Sequence, residues 1–357
     1  MPSATKRRRV RDAKRSRVIL LASLAVLLLI VLPLSPPAAK AQSFYDVIYR
    51  PSWVRYDVLK TEHFELIFQR GLDTLVYDAA ITLEKAYDEV RAKTGLDREF
   101  SMPVVLNDFT DVSNGFVSAA PFRQEITAAP IKGKLLSPRH SDWLNQVLPH
   151  EMTHAVQAEV KGGFGVGALL SVMSPDLGRA LNLGIPSGMT EGLAVLQESS
   201  EREGAGRLHF SMTLMQYRAA AASGKPWKIG QLLDPPAFTR PIDRYYIGGG
   251  MLTQFLADSV QTDFFERSLK FYNRVPFFGY GVALWYGTGQ APWKLSNAFE
   301  KAAIKSELER LANLGTISSY DVLTSKRGLA CRRPKWIDET LILAHCSGYQ
   351  YTPGFYK

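Results

Sequence analysis

Hydrophobic residues recur along the chain at two spacings, one typical of strands and one typical of helices. Phe64, Leu66 and Phe68 alternate with polar residues, which predicts one half-buried strand over Tyr56–Phe68. Over Leu72–Lys93 the apolar residues follow the helical period instead, and a glycine stands where a C-terminal cap belongs. The first part of the chain is therefore predicted to be a strand followed by a helix.

Two more strands are predicted over Met102–Leu106 and Phe122–Ala129, and we interpret the second as an edge strand because polar residues alternate along it. Beyond Leu193 the pattern is mainly helical. Helical spacing is found over Met212–Ala222, Gly249–Val260, Phe264–Tyr272 and Trp293–Ala312.

The segment Val147–Gln157 has helical spacing and contains His150-Glu151-x-x-His154. Residues four apart lie on one face of a helix, so both imidazoles can reach one metal ion while Glu151 flanks the same site as a candidate base. Zinc in a hydrolase takes three protein ligands and leaves one position open for water. The motif predicts two of these ligands.

Two alternatives stand beside this interpretation. The segment could be an ordinary amphipathic helix with Met152 and Val156 in the core and both histidines at its edge. In addition, Pro149 cannot donate a helical hydrogen bond, so the helix either begins near it or kinks there. Both options leave the histidine face intact.

The candidate for the third ligand is Glu191. The preceding Pro-Ser-Gly marks a turn, and Ser187 or Thr190 can cap a helix that carries this glutamate. A carboxylate oxygen is a normal zinc donor. The alternative is a surface glutamate that stabilises the helix dipole.

The N-terminal 41 residues have the three parts of a secretory signal peptide. A basic cluster precedes the apolar run Val18–Leu34, and Ala39-Lys40-Ala41 forms a cleavage site. We expect cleavage after Ala41 and location in the periplasm or cell envelope. The alternative is an uncleaved membrane anchor, although the run is short for a span.

The net charge of +9 belongs to this segment. Removing nine of the 43 basic residues and one of the 34 acidic residues leaves a charge near +1. A basic nucleic-acid-binding face is therefore not expected.

His150-Glu-Met-Thr-His154 together with Glu191-Gly-Leu-Ala resembles the gluzincin metallopeptidases of the thermolysin-like clan. Asp142-Trp-Leu, Asn114-Gly-Phe, Tyr246-Ile-Gly-Gly and Phe255-Leu-Ala-Asp are similar to exported, peptidase-MA-like proteins that carry a TolB-type β-propeller after the protease. The resemblance covers residues 53–311.

The resemblance implies an α+β fold of two lobes, with an N-terminal mixed sheet and active-site helix over residues 42–192 and a mainly helical lobe over 193–322. It implies one zinc per chain, bound by His150, His154 and Glu191. It also implies that Tyr246, favoured over Tyr245, faces the zinc and donates to the oxyanion.

Two departures from the family pattern affect this interpretation. The Gly-x-Met-Glu-Asn segment that grips a free amino group in related aminopeptidases is absent, and Asn114–Phe122 stands in its place, so an endopeptidase acting on a peptide or protein is favoured. No carboxylate stands four residues after Glu191, where Val195 is found. The partner that orients the histidines is therefore not identified from the sequence.

The tail, residues 323–357, contains the only two cysteines, Cys331 and Cys346, which we expect to form a disulfide across a hairpin. Pro334-Lys-Trp336 and Leu341–Ala344 are similar to the first strands of a propeller blade.

The function that competes with a peptidase is a non-catalytic zinc-binding scaffold or assembly module of the envelope, with protein partners. The membrane would be met only through an uncleaved signal segment.

The export interpretation gives a first testable prediction. N-terminal sequencing of the exported protein should begin at Gln42, because the signal segment is removed after Ala41. Protein in the membrane fraction that begins at Met1 would favour the anchor instead.

Overall fold

The computed structural model describes residues 50–96, 98–110, 113–128, 143–200, 206–234, 241, 243–260, 263–315, 329–348 and 351–356. The predicted signal segment and Asp142 lie outside these ranges. The chain divides into two compact units, one reaching Glu307 and one beginning at Leu308, and each is described by itself.

Five strands and two helices form the N-terminal part of the first unit. They are β1 (Tyr56–Lys60), β2 (Phe64–Gln69), α1 (Asp73–Thr94), β3 (Met102–Asn107), β4 (Gly115–Ala119), β5 (Phe122–Thr127) and α2 (Trp143–Glu159).

The chain after α2 is mainly helical as far as Asn313. They are α3 (Val166–Met173), α4 (Pro175–Leu181), α5 (Ser187–Ser200), α6 (Ser211–Ala222), α7 (Ile229–Leu232), α8 (Arg244–Ser259), α9 (Phe264–Arg274), α10 (Gly279–Thr288) and α11 (Pro292–Asn313). Short 3-10 turns occur at Asn182–Gly184, Arg207–His209 and Pro276–Phe278.

The five strands form one mixed sheet in the order β1-β2-β3-β5-β4. Neighbours among β2, β3 and β5 are parallel, whereas β1 and β4 pair antiparallel at the two ends. The α+β class predicted from the sequence is confirmed at this level.

The single strand predicted over Tyr56–Phe68 is wrong, because the chain forms a hairpin there. The turn lies between β1 and β2, where the Thr61 amide donates to the Phe64 carbonyl at 2.9 Å and the Phe64 amide donates to Thr61 Oγ1 at 3.2 Å. A threonine side chain that bonds the backbone two or three residues away favours a turn over a strand. The polar run Lys60-Thr61-Glu62-His63 interrupts the apolar alternation at this point, and it is the signal that the single-strand prediction overlooked.

The edge position predicted for Phe122–Ala129 is also wrong. The strand β5 lies between β3 and β4, and β4 forms the edge of the sheet among the described residues. Gln124 and Glu125 are buried although polar, so polar alternation did not indicate exposure here.

The helix α2 begins at Trp143, so the option that it begins near Pro149 is wrong. Pro149 lies inside the helix and its carbonyl accepts a hydrogen bond from the Thr153 hydroxyl at 2.9 Å. The predicted helix Leu72–Lys93 is confirmed as α1, with Gly95 as its left-handed C-cap.

All four helices predicted after Leu193 are present, with small changes of their ends. The largest change is in α8, which begins at Arg244 rather than Gly249, so that Tyr245 and Tyr246 belong to its first turn. The helix α10 was not predicted. One hydrophobic core includes side chains from the sheet, from α1 and α2 and from the later helices.

The helices α5 and α8 approach each other through glycines. A Cβ atom on Gly192 would lie 2.5 Å from the Gly249 backbone, and one on Gly249 would lie 2.2 Å from the Gly188 carbonyl oxygen. Only residues without a side chain allow two helices to pack at this distance. Glu191, the predicted third ligand, is the direct neighbour of this contact.

The second unit contains the antiparallel strands β6 (Leu329–Trp336), β7 (Ile342–Gly348) and β8 (Tyr351–Tyr356). Cys331 and Cys346 are paired in register and form a disulfide, which confirms the predicted bridge across a hairpin. In the part of the chain that the structure describes, no helix has both the length and the apolar character required to cross a membrane.

The glycine contact predicts unequal effects of two alanine substitutions. Gly192→Ala should destabilise the protein by about 1 to 3 kcal/mol, because its methyl group overlaps the α8 backbone. Gly281→Ala is the matched control, since Gly281 is helical and has no heavy atom near its Cβ position. The control should stabilise by up to about 1 kcal/mol. Equal urea unfolding curves for the two variants would refute the proposed role of the contact.

Candidate metal centre

The two histidines of α2 and the glutamate of α5 converge on one point. The Nε2 atoms of His150 and His154 each lie 3.3 Å from Oε2 of Glu191. One ligand atom from each of the three residues can be chosen so that all lie within 4.8 Å of one another. The helical spacing of the histidines therefore places both rings on the face that meets Glu191, as the sequence predicts.

The atoms that face the shared point, Glu191 Oε2 and the two histidine Nε2 atoms, are the ones that could bind an ion. Oε2 of Glu191 is buried, and among the described residues it has no hydrogen-bond partner. Nδ1 of each histidine contacts a different side chain, so that Nε2 remains for the shared point. An unsatisfied buried carboxylate oxygen between two imidazoles fits a metal ion. These three residues could hold one.

Glu198 orients His150. Its Oε2 lies 3.1 Å from His150 Nδ1, so the ring donates its Nδ1 proton to the carboxylate. Arg207 donates from Nε to Glu198 Oε1 at 2.8 Å and from Nη2 to Oε2 at 3.0 Å. The Arg207 backbone amide adds a bond of 3.1 Å to Oε1. This chain of contacts fixes the ring orientation of His150.

Gln157 orients His154 in a different way. Its side-chain oxygen lies 3.1 Å from His154 Nδ1, and its amide nitrogen donates to the Thr190 carbonyl at 3.0 Å. Thr190 directly precedes Glu191 in the chain. Gln157 therefore connects one histidine of the cluster to the backbone that carries the glutamate.

Glu151 lies beside the cluster without belonging to it. Its side chain is almost fully buried, and it forms a wall with the start of β4: a Cβ atom on Gly115 would lie 2.9 Å from Glu151 Oε1. Burial raises the pKa of the Glu151 carboxyl, although the two neighbouring histidines oppose this. A carboxylate with a raised pKa is a stronger base than an ordinary one.

Tyr246 faces the same cleft from the first turn of α8. The guanidinium of Arg207 lies 5.0 Å from the centre of its ring, and the ring of Tyr245 lies 4.5 Å from it on another side. Burial, followed by the nearby charge of Glu191, raises the pKa of the Tyr246 hydroxyl. The phenol therefore stays protonated and can donate a hydrogen bond.

The cleft has a volume of about 130 Å³. Its lining combines the start of β4, one face of α2 and groups from the later helices: Ser113, Asn114, Gly115, Trp143, Gln146, Val147, His150, Glu151, Glu198, Arg207 and Tyr246. One histidine, two glutamates, an arginine and a tyrosine line this small volume, and Glu191 and His154 lie beside His150. The arrangement can bind a cation, accept a proton and donate a hydrogen bond.

Charge holds the cluster together in the metal-free protein. Burial by itself would lower the pKa of His150, but the Glu191 and Glu198 carboxylates outweigh it and raise this pKa to about 9. The same opposition, with Glu191 as the counter-charge, raises the pKa of His154. Burial would raise the pKa of Glu191, but both imidazoles hold it well below its usual range. Protons on the histidines therefore neutralise the glutamates in the absence of a metal.

Three residues of this site were not predicted. Glu198 follows Glu191 by seven residues, which returns to the same helix face, so inspection of this position beyond Val195 could have found it. Gln157 follows His154 by three residues and could have been found by the same spacing rule. Arg207 lies in a short turn where no periodicity marks it.

No protein-family model matches this chain, and no curated protein matches it. Its chemistry has to be argued from the geometry of the cluster.

The three-residue cluster predicts which substitutions abolish metal binding. His150→Ala and Glu191→Ala should each lose stoichiometric metal, because each removes one of three ligands. Glu198→Ala should lower the affinity by about ten- to a hundredfold, because it frees the His150 ring to rotate. His63→Ala is the control, since His63 also contacts a carboxylate, that of Glu84, but lies outside the cluster. Metal analysis and competition with a chelator measure these differences, and full occupancy in Glu191→Ala would contradict the assignment.

The pKa of His150 predicts how pH changes the stability of the metal-free protein. Because its folded value of about 9 exceeds the ordinary 6.5, its contribution is complete below pH 6.5 and is lost as pH rises to about 9. The full difference corresponds to about 3 kcal/mol. Chelator-treated protein should therefore unfold at lower urea concentration near pH 9 than near pH 6.

The contribution of Glu198 to stability has the opposite pH dependence, and it is lost in acid. Burial would raise its pKa, but the charge of Arg207 and the contact with His150 lower it to about 2. Its contribution is present above the ordinary pKa value and is lost as pH falls through the folded value.

Added metal should reduce the loss of stability between pH 6 and pH 9, because the ion replaces the protons of the histidines. An alkaline loss of the same size with and without metal would contradict this account.

Proposed function

We propose that this chain is an exported zinc metallopeptidase of the gluzincin type, and an endopeptidase rather than an aminopeptidase. The observation that carries the proposal is the cluster of His150, His154 and Glu191 with Glu151 at its side. A site that only holds a metal needs the three ligands. A peptidase also needs a base beside them, and Glu151 stands in that position.

Zinc is the metal that this donor set favours. Two imidazole nitrogens four residues apart on a helix and one carboxylate oxygen are the donors that would hold zinc in a hydrolase. When bound there, zinc supplies a Lewis acid that polarises a carbonyl group and eases the deprotonation of water. Stoichiometric binding of a different metal by the purified protein would count against this choice.

The residues of the chain have separate roles in the proposed reaction. Glu151 accepts a proton from the attacking water and later delivers it to the leaving amine. Tyr246 donates a hydrogen bond to the oxygen that becomes negative during attack, a role supported by its protonated phenol in the same cleft. Glu198 and Arg207 keep the His150 ring in the orientation that leaves Nε2 free.

The substrate is proposed to bind as an extended peptide along β4. Its free edge among the described residues offers backbone groups for pairing, and Gly115 at its start lies against Glu151. The strand at Phe122–Ala129, predicted to be the edge, cannot take this role because β5 lies inside the sheet. A peptide paired with β4 would run past the base, as an endopeptidase requires.

The finer description of the fold is part of the same proposal. The sheet with α1 and α2 would correspond to the N-terminal lobe of a gluzincin, and the helices from α6 onward would form the second lobe. Export to the periplasm or cell envelope is proposed from the N-terminal sequence. The tail would be the start of a propeller blade, supported by its antiparallel β6–β8 sheet.

The decisive variant is Glu151→Gln. It keeps the size of the side chain and removes the base, so metal should remain bound while turnover falls by about a hundredfold or more. An envelope extract exposed to the wild-type protein and to the variant would provide substrates, and mass spectrometry of new peptide ends would measure the difference. If both proteins hold metal and produce the same peptide ends, the chain is a non-catalytic scaffold.

Tyr246→Phe tests the second group of the mechanism. It should also retain metal, and it should slow cleavage by roughly a hundredfold, since one oxyanion donor is worth about 3 kcal/mol. Tyr245→Phe is the matched control on the same turn, and its rate should be close to that of the wild type. A larger loss for Tyr245→Phe would exchange the two assignments.

A further inference from the structure

The helix α3 turns its large apolar side chains away from the protein. Leu169, Val172 and Met173 have the i, i+3, i+4 spacing of one helical stripe, and Val172 is 87% exposed. Gly167 is the one residue of α3 that is fully buried. A helix of a globular protein normally buries such a stripe. Its exposure indicates a surface that another phase or molecule covers.

The helix α10 repeats this arrangement with aromatic residues. Val282, Trp285 and Tyr286 have the same spacing and are exposed. The preceding turn exposes Phe277 and Phe278, whose rings lie 4.8 Å apart. Neither α3 nor α10 contains a charged residue. Two charge-free helices therefore expose apolar stripes in one unit.

Both helices pack against α9, and α3 begins near the end of α9 that leads into α10. A Cβ atom on Gly165 would lie 2.4 Å from the carbonyl oxygen of Arg274, the last residue of α9. The turn with Phe277 and Phe278 follows Arg274 by three and four residues. We call the outward stripes of α3 and α10, together with this turn, the α3–α10 surface.

Two arginine side chains lie close to aromatic rings in this surface or next to it. The Arg274 guanidinium lies 4.6 Å from the centre of the Phe164 ring, and that of Arg267 lies 5.6 Å from the Tyr286 ring. The acidic residue of α9, Glu266, is paired with Lys270. Exposed apolar and aromatic side chains bordered by basic groups are typical of surfaces that enter the headgroup region of anionic bilayers.

The scarcity of hydrogen-bonding groups on α3 favours a bilayer over a protein partner. Protein interfaces make about one hydrogen bond per 100 to 200 Å². The only polar side chain of α3 is Ser171, and its hydroxyl is buried. The hydrocarbon region below the headgroups of a bilayer forms no hydrogen bonds, so this surface fits lipid better than it fits a protein partner.

The N-terminal sequence independently predicts that this chain contacts a membrane. The basic cluster and the run Val18–Leu34 form a segment that engages the bilayer during export. Fifteen residues separate this run from Arg50, the first described residue. Extended, they span about 50 Å at most, which keeps the folded unit at the bilayer while the run is retained.

We propose that the α3–α10 surface docks onto an anionic lipid bilayer. This goes beyond the expectation that the chain meets a membrane only through its N-terminal segment. It does not depend on the metal or on catalysis, so either proposal can fail without the other.

A single introduced cysteine tests the contact, because both natural cysteines are in the disulfide. The full chain with Val172→Cys is labelled with a polarity-sensitive fluorophore and mixed with vesicles of phosphatidylcholine and phosphatidylglycerol. We expect a blue shift and a brighter signal, both weaker with pure phosphatidylcholine. Ile81→Cys on α1 is the control, since Ile81 is 71% exposed and the N-terminal segment tethers both proteins equally.

Phe278→Ser in the labelled Val172→Cys chain should reduce the blue shift, because it removes an apolar group from the turn of the same surface. An unchanged spectrum at Val172 with both vesicle types overturns the proposal, as does an equal shift at Ile81. A shift that grows with protein concentration without vesicles also overturns it and assigns the surface to a second copy of the chain. Circular dichroism checks that each variant is folded.

Discussion

The contact between α5 and α8 is the constraint on which the site depends. Glycines at Gly192 and Gly249 let the two backbones meet at a distance that any side chain would prevent. This contact joins the helix of Glu191, which belongs to the histidine cluster, to the helix of Tyr246, which lines the cleft beside it. Because protein interiors deform little, a displacement of α8 by one methyl group would move Tyr246 relative to Glu191.

Electrostatics provides the second constraint, and it acts on the two histidines differently. His150 faces a carboxylate that Arg207 holds on both oxygens, whereas His154 faces the neutral amide of Gln157. A carboxylate partner makes an imidazole a stronger donor to a metal than an amide partner does. The guanidinium offsets part of this effect, since its charge opposes that of Glu198. The cluster therefore combines one histidine of tuned basicity with one that is mainly positioned.

How far the sequence predicts this molecule depends on whether a feature is local. The motif His150-Glu151-x-x-His154 and the helix of Glu191 follow from spacing and turn residues, which act within a few positions. The hairpin at Thr61 also has a local signal, the polar run Lys60–His63, whereas the edge position of β4 depends on strand pairing and has no signal in periodicity. Arg207 reaches the site only because the chain returns to it after α5, so no local pattern could reveal it.

Glu151 gives the strongest reason to prefer an enzyme over a scaffold. A buried carboxylate is unfavourable unless neighbours compensate it, and here burial raises its pKa despite two adjacent histidines. A site that only holds a metal does not require Glu151, because His150, His154 and Glu191 supply the three ligands. Retaining an ionisable group at that cost, in a cleft and beside three potential ligands, is the arrangement that acid–base chemistry requires. The proposed hydrolysis therefore gives this buried carboxylate a role that metal binding alone does not.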